Sequence, residues 1–248
     1  MNKIIVFDVW GDYAHFRKIY TTTSPLSYSI PTRTAVCGLI GAIIGLSKIN
    51  NDYLKYFKLT DAKIALKIIT PIIKVRIPIN LINTKEAKGI GMNLIKSRSQ
   101  IRFEFIKSPK FRIYFWHNNK RIYDDCKNNL INHKSYYTPC LGLSENIANF
   151  NFVTESNVKI QNNQNVFIDI HSVIPLDKIV EEKGIDFTQT EREYFKEKIP
   201  IEMNTERIVK KYSQILYERN GKPIRAKLIN TYFNLNYQNT VENIVIIE

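Results

Sequence analysis

A chain of 248 residues, 44% of them apolar, has material for a sizeable core and is not a disordered chain. Its 36 Lys and Arg against 23 Asp and Glu leave a formal charge of +13, which points to an anionic partner. Three widely spaced cysteines, Cys37, Cys126 and Cys140, form neither a disulfide framework nor a CxxC zinc site, and the longest apolar stretch, Ala35–Leu46, falls well short of the ~20 residues that span a bilayer. A reducing cytosol with no membrane segment is the expectation, and no signal peptide is read in an N-terminus broken by Asp8.

Lys3–Trp10 reads as a strand, rich in β-branched and aromatic residues. The loop that follows sets ring faces beside cations: Tyr13, His15, Phe16, Arg17, Lys18, Tyr20, Tyr28 and Arg33. Stacking surfaces mixed with phosphate-binding charge are what a single-stranded nucleic acid requires. Phe16 fits a core position equally well, and Tyr28 beside Pro25 fits a loop staple. Thr32 is the expected N-cap of a helix running to about Lys48. Gly38, Gly41 and Gly45 share one face of that helix. Each costs about 1 kcal/mol relative to Ala, so the helix backbone is expected to lie close against something, most simply a sheet.

Ala62–Thr70 and Ile72–Ile82 read as strands, with Pro71 and Pro78 marking breaks or edges. Lys85–Ser99 reads as a loop. Arg102–Ile106 and Phe111–His117 are expected to form a hairpin around Ser108-Pro109, followed by a short helix over Asp124–Asn132 and a turn at Pro139–Gly142. Phe150–Ile160 and Val166–Ile174 read as strands. Gln161–Asn165 between them is either a domain boundary or a turn. Thr188 and Glu191 fit a capping box for a helix to about Lys198. Arg207–Glu218 and Pro223–Asn234 are expected to pair around Asn220-Gly221, and Val241–Ile247 ends the chain as a strand. The order fits an α+β, ferredoxin-like βαββαβ unit over residues 1–160, with a basic insertion at about 85–121. A smaller β-rich part with one helix follows over 166–248. The same plan underlies RNA-recognition domains, whose open sheet faces hold bases.

Between Lys85 and Arg121 stand ten basic residues and two acidic ones, so most of the net charge lies there. Such a segment suits an arm that grips a phosphate backbone. Arg98 and Arg102 within it share a face whether the backbone is helix or strand. Chemistry is harder to find. The four histidines, His15, His117, His133 and His171, show no metal-ligand spacing, and no nucleophile elbow, Rossmann glycine pattern or carboxylate cluster stands out. His15, Lys18 and Tyr20 offer a base, a cation and an acid of the kinds a metal-independent ribonuclease uses, although many basic aromatic loops hold the same types.

The segments GDYAHFRKIY, TSPLSYSIPTRTAVCGLIGAIIGL, GMNLIKSRSQIRFEFIKSPKFRIYF and HKSYYTPCLGLSENIANFNFV, with YERNGKPIRAKL and ENIVIIE, come in the order found in one family. By them the chain resembles the CRISPR-associated Cas-five family of the RAMP superfamily, nearest its type I-B form. The resemblance implies a non-catalytic Cascade subunit for antiviral defence, built on a ferredoxin-like domain and needing no cofactor. It implies that the subunit caps the complex, holds the 5′ handle of the guide RNA and touches the backbone and large subunits. Target DNA is then met only through the complex. A thumb-like hairpin is implied at or beside Gly91–Tyr114, with Arg17, Lys18 and Arg33 on the handle side. The expected RNA-binding set is Tyr13, His15, Phe16, Arg17, Lys18, Tyr28, Arg33, Lys96, Arg98 and Arg102. Type I-C relatives cut precursor RNA themselves, so an endoribonuclease using His15, Lys18 and Tyr20 is the alternative.

Overall fold

Five consecutive buried residues, Ile4, Ile5, Val6, Phe7 and Asp8, with Val9 beyond them, make the first strand one that is covered on both faces. The structure is a computed structural model and describes residues 1–82, 98–162 and 165–248. In chain order its strands are β1 (Lys3–Trp10), β2 (Tyr13–Ala14), β3 (Phe16–Arg17), β4 (Ser27–Tyr28), β5 (Ala62–Ile68), β6 (Ile73–Ile82), β7 (Arg98–Lys107) and β8 (Lys110–His117). There follow β9 (Asn149–Asn162), β10 (Ile168–Ile170), β11 (Ile174–Pro175), β12 (Tyr194–Met203), β13 (Val209–Glu218), β14 (Ile224–Ala226), β15 (Thr231–Tyr237) and β16 (Thr240–Ile244). Helix α1 (Arg33–Ile44) lies between β4 and β5, and α2 (Lys120–Ile131) joins β8 to β9.

The main sheet has the order β16-β15-β9-β1-β8-β5, with every neighbouring pair antiparallel. Odd-numbered β1 residues, Ile5, Phe7 and Val9, face a core shared with Val36, Ile40 and Ile43 of α1 and Ile122, Cys126 and Leu130 of α2. Ile199 and Ile201 of β12 close the same core. Each such aliphatic side chain contributes about 1.5–3 kcal/mol by leaving water. Even-numbered residues, Ile4 and Val6, pack with Tyr114, Leu235, Tyr237, Ile244 and Ile246 in a second core. The sheet curls until its ends meet: Lys67 of β5 donates to Glu242 of β16 at 2.5 Å, and the Ile247 amide donates to the Ile64 carbonyl at 2.9 Å. The sheet face that an RNA-recognition plan leaves open is therefore covered here and holds no base.

Helix α1 starts as expected, with the Thr32 hydroxyl accepting from the Ala35 amide at 3.1 Å. It ends four residues early because Gly45 turns left-handed, at φ 78°. Its glycine face does not meet a sheet. A Cβ at Gly38 or Gly41 would lie at ordinary contact distance, 3.8 and 3.6 Å, from Tyr53 of the 3₁₀ segment Ile49–Tyr56. Helix α2 starts at Lys120, earlier than read, because the Asn119 side chain accepts from the Arg121 and Ile122 amides.

Two expected hairpins are sheet crossings instead. β7 pairs with β6 and β2, whereas β8 pairs with β1 and β5, and the chain changes sheet at Ser108, which sits at φ 47° before Pro109. At Asn220-Gly221 the turn itself is real, and the Glu218 carboxylate accepts from the amides of Asn220 and Lys222. Yet β13 before it pairs with β12 and β11, while β14 after it pairs with β10. The helix expected up to Lys198 is strand β12. Ile199 and Ile201 alternate into the core, Pro200 opposes helix there, and the Thr188 hydroxyl donates to Asp186 at 2.6 Å rather than capping. A hairpin not separated in the sequence pattern joins β15 to β16 through Gln238 and Asn239, both at positive φ, as a type I′ turn requires.

Gly221 has φ 77°, and a Cβ there would lie 2.4 Å from the Ile68 carbonyl oxygen. Gly221→Ala is expected to cost at least about 1–3 kcal/mol, read as a lower urea midpoint. An unchanged midpoint would show that β5 and the turn do not touch. Among the described residues no single helix is long and apolar enough to cross a membrane.

Candidate nucleic-acid interface

The aromatic and basic loop is a tied structure. β3 pairs with β4, and the Lys18 amide donates to the Leu26 carbonyl at 2.8 Å. The Thr21 hydroxyl donates to the Lys18 carbonyl and accepts from the Leu26 amide. Glu197 of β12 then clamps the loop: it takes the Lys18 ammonium at 2.9 Å and the Ser29 amide at 2.8 Å. Lys18 also lies 5.5 Å from the centre of the Tyr28 ring. Burial works against the Lys18 ammonium, but the Glu197 contact outweighs it and holds the pKa above its ordinary value. Burial, helped by Tyr20, Tyr212 and Glu197, pushes Tyr28 up to about 12, so its phenol stays neutral.

This clamp shapes a cleft of about 450 Å³, lined by Lys18, Ile19, Tyr20, Tyr28, Lys196, Glu197, Lys198 and Tyr212. Lys198 sits 5.1 Å from the centre of the Tyr212 ring. Among the described residues neither Lys196 nor Lys198 pairs with a carboxylate. Tyr20 is 69% exposed. Ammonium groups not held by carboxylates beside the exposed Tyr20 ring suit a phosphate and a splayed base; each stacked base contributes about 1–3 kcal/mol.

A second basic surface is the ribbon of β6 and β7, paired along its length with Arg76 opposite Glu104, Pro78 opposite Arg102 and Ile82 opposite Arg98. Residues opposite one another share a face, so Arg76, Arg98 and Arg102 project together. All three are exposed. Lys74, on the same face, is held by Glu104 and the Ser27 carbonyl. The other basic residues of the 85–121 window disperse. Arg112 is locked on Asp8 at 2.7 and 3.1 Å, and Lys110 lies over Trp10. Lys85, Lys88 and Lys96 lie outside the described residues.

The sequence-read set is only partly brought together. Lys18, Tyr28 and the alternative acid Tyr20 line the cleft. Arg17 is exposed and donates to the Thr21 carbonyl. Tyr13 packs edge-on against Phe105 at the base of the ribbon, and Phe16 is in the core against Phe111. Arg33 is corrected outright: it is 1% exposed, and its guanidinium donates to the carbonyls of Phe57, Lys58, Ala62 and Ile201. His15, also 1% exposed, donates from Nδ1 to the Glu104 carbonyl at 2.7 Å between the Phe103 and Phe105 rings. Burial holds its pKa below the ordinary 6.5, so it is neutral, and it does not line the cleft with Lys18 and Tyr20. Lys196, Lys198 and Tyr212 were missed. The alternation in Lys196-Glu197-Lys198-Ile199-Pro200-Ile201 was the available signal, masked by the apparent capping box ahead of it.

Residues 4–104 match the family model described as CRISPR-associated protein (Cas_Cas5). No curated protein matches the chain. In fold it is similar to a CRISPR protein from Archaeoglobus fulgidus, 14% identical over 97% of this chain and 98% of that one, with TM-score 0.53. It is also similar to a chain of a CRISPR RNA-guided surveillance complex, 10% identical over 90% of this chain and 91% of that one, with TM-score 0.54. The sequence match over residues 4–104 and the mixed, mostly antiparallel fold make the chain similar to CRISPR-associated proteins. The matched span holds the first two of the segments by which the sequence resembles the Cas-five family, and over it the chain is similar to that family.

Proposed function

We propose that the chain is an RNA-binding subunit of a type I-B-like Cascade complex, which holds the 5′ handle of the guide RNA without cutting it. The observation that carries this reading is the cleft in which Lys196 and Lys198, free of carboxylates among the described residues, stand beside Tyr20 and Tyr212. The lysines fix phosphates, and the rings hold splayed bases. The succession β1-α1-β5-β8-α2-β9, with lateral order β9-β1-β8-β5, supports a ferredoxin-like unit. The β6–β7 ribbon takes the role of the thumb, with Arg76, Arg98 and Arg102 toward the RNA. The backbone and large subunits of the complex complete the groove, target DNA is met through them, and the cytoplasm is the site of action. Holding rather than cutting fits the buried, neutral state of His15.

The test is a titration of labelled repeat RNA in EDTA. Binding without cleavage is expected. Lys196→Ala with Lys198→Ala should weaken binding and reduce the log–log salt slope by about 0.7 for each lost contact. An unchanged slope would remove both lysines from the site. Site-specific cleavage would replace the reading with that of a metal-independent endoribonuclease.

A further inference from the structure

The loop at the far end of α1 presents two tyrosines that the fold does not bury. Tyr136 is 73% and Tyr137 46% exposed, and their rings meet edge to face with centroids 4.8 Å apart. Exposed rings on mobile loops are common, but these are anchored. The Tyr136 amide donates to the Ile43 carbonyl at 3.2 Å and the Tyr137 amide to the Ala42 carbonyl at 3.0 Å, so the loop caps the last turn of α1. Asn129 of α2 donates to the same Ile43 carbonyl at 2.8 Å. Gly45 leaves the space that Tyr136 occupies, since a Cβ there would lie 2.7 Å from the ring. Lys48 and Lys134, the near cations in sequence, are exposed, and among the described residues neither pairs with a carboxylate. Held backbone, open rings and free ammonium groups form a pre-organised surface, and ordering it on binding costs little.

We propose that Tyr136 and Tyr137, flanked by Lys48 and Lys134, are a second stacking platform for single-stranded RNA. The inference rests on the RNA-binding reading and extends it to a separate face. Tyr28, which lines the cleft, lies just ahead of the N-cap Thr32, whereas the platform caps the C-terminal end. Twelve helical residues separate the two ends by about 18 Å. A strand of a few extended nucleotides bridges that span, so the two sites bind one RNA together and gain from effective concentration.

The experiment compares fluorescein-labelled oligouridines of about 4 and about 16 nucleotides, the span of strand lengths that single-strand binders cover. The proteins are wild type, Tyr136→Ala with Tyr137→Ala, Tyr136→Phe with Tyr137→Phe, and the cleft pair Lys196→Ala with Lys198→Ala. Thermal melts check that each variant is folded. The alanine pair is expected to bind the long strand about tenfold or more weakly and the short strand within about twofold of wild type. The phenylalanine pair should bind both as wild type does, because stacking survives. An alanine pair that matches wild type on the long strand, while the cleft pair weakens both strands, overturns the platform and leaves the RNA reading standing. Loss of binding to a neighbouring protein subunit with RNA affinity unchanged overturns it in favour of a protein-docking face. A wild type that binds neither strand sinks the RNA reading and this inference with it.

Discussion

Replacing Arg33 by Ala is expected to unfold the protein rather than to loosen its hold on RNA. The guanidinium donates to four backbone carbonyls: Phe57 at 2.9 Å, Ile201 at 3.0 Å, Lys58 at 3.3 Å and Ala62 at 2.7 Å. One side chain thus ties α1 to the end of the 3₁₀ segment, to β5 and to β12. Truncation leaves these carbonyls without that donor and opens a cavity. A buried acceptor left unmade costs about 1–3 kcal/mol, so the total is at least about 4 kcal/mol, a large share of the roughly 5–15 kcal/mol by which an ordinary domain is stable. Arg33→Lys should also be destabilised, because one ammonium cannot span the four acceptors in the plane a guanidinium offers. Urea denaturation followed by RNA titration checks both. A folded Arg33→Ala protein with an unchanged midpoint and weakened RNA binding would return Arg33 to the interface where the sequence reading put it.

Glu242→Gln carries the second large effect. Glu242 is 0% exposed and takes the Lys67 ammonium at 2.5 Å, the Tyr114 hydroxyl at 2.7 Å and the Tyr237 hydroxyl. Arg112 lies 3.8 Å away. The residue joins one edge of the curled sheet to the other, so removing its charge strands Lys67 beside a neutral amide. Breaking one partner of a buried pair costs about 3–5 kcal/mol. Burial alone would raise the Glu242 pKa, but Lys67 and the two phenols outweigh it and hold it below the ordinary 4.5. A carboxyl depressed in the folded state stabilises fully above its unfolded value and loses that contribution as pH falls through the folded value. Wild-type melting temperature should therefore drop on acidification below about 4.5, with a shallower drop in Glu242→Gln. Glu155 and Glu248 are depressed as well, against Lys127 and Lys3 and against Lys63 and Lys178, so some acid sensitivity remains in the variant. A variant as acid-sensitive as wild type would place the titration on those two together with Asp186 and Glu193, which are also depressed, by hydrogen bonds from Thr188 and from Arg219.

Local signals were legible where one segment decides its own conformation. The two-sided apolar run of β1, the Thr32 cap and the strand patterns of β5, β6 and β9 follow from residue types alone. Partner choice was not legible. Ser108-Pro109 and Asn220-Gly221 look the same whether the chain turns back on its neighbour or crosses into another sheet, because a turn fixes local backbone and not the identity of the next strand. Arg33 misled for a related reason: in sequence it is one more cation beside tyrosines, and only the convergence of residues 57, 58, 62 and 201 shows why it is inside. The cleft was half legible. Lys18, Tyr20 and Tyr28 stand in the loop, but Lys196, Lys198 and Tyr212 come from the β12–β13 hairpin, far along the chain. Glu197 was equally hidden, and it is the residue that converts Lys18 from a free cation into a clamp.

Everything functional in the account requires one strand of RNA to lie in the cleft between the loop and the β12–β13 hairpin. Photo-cross-linking of the purified protein to thiouridine-substituted repeat RNA, with the modified peptides mapped by mass spectrometry, tests that most directly. Adducts on the peptides holding Tyr20 and Tyr212, lost together in Lys196→Ala with Lys198→Ala, are the predicted result. Efficient cross-linking confined to peptides that hold neither tyrosine would contradict it.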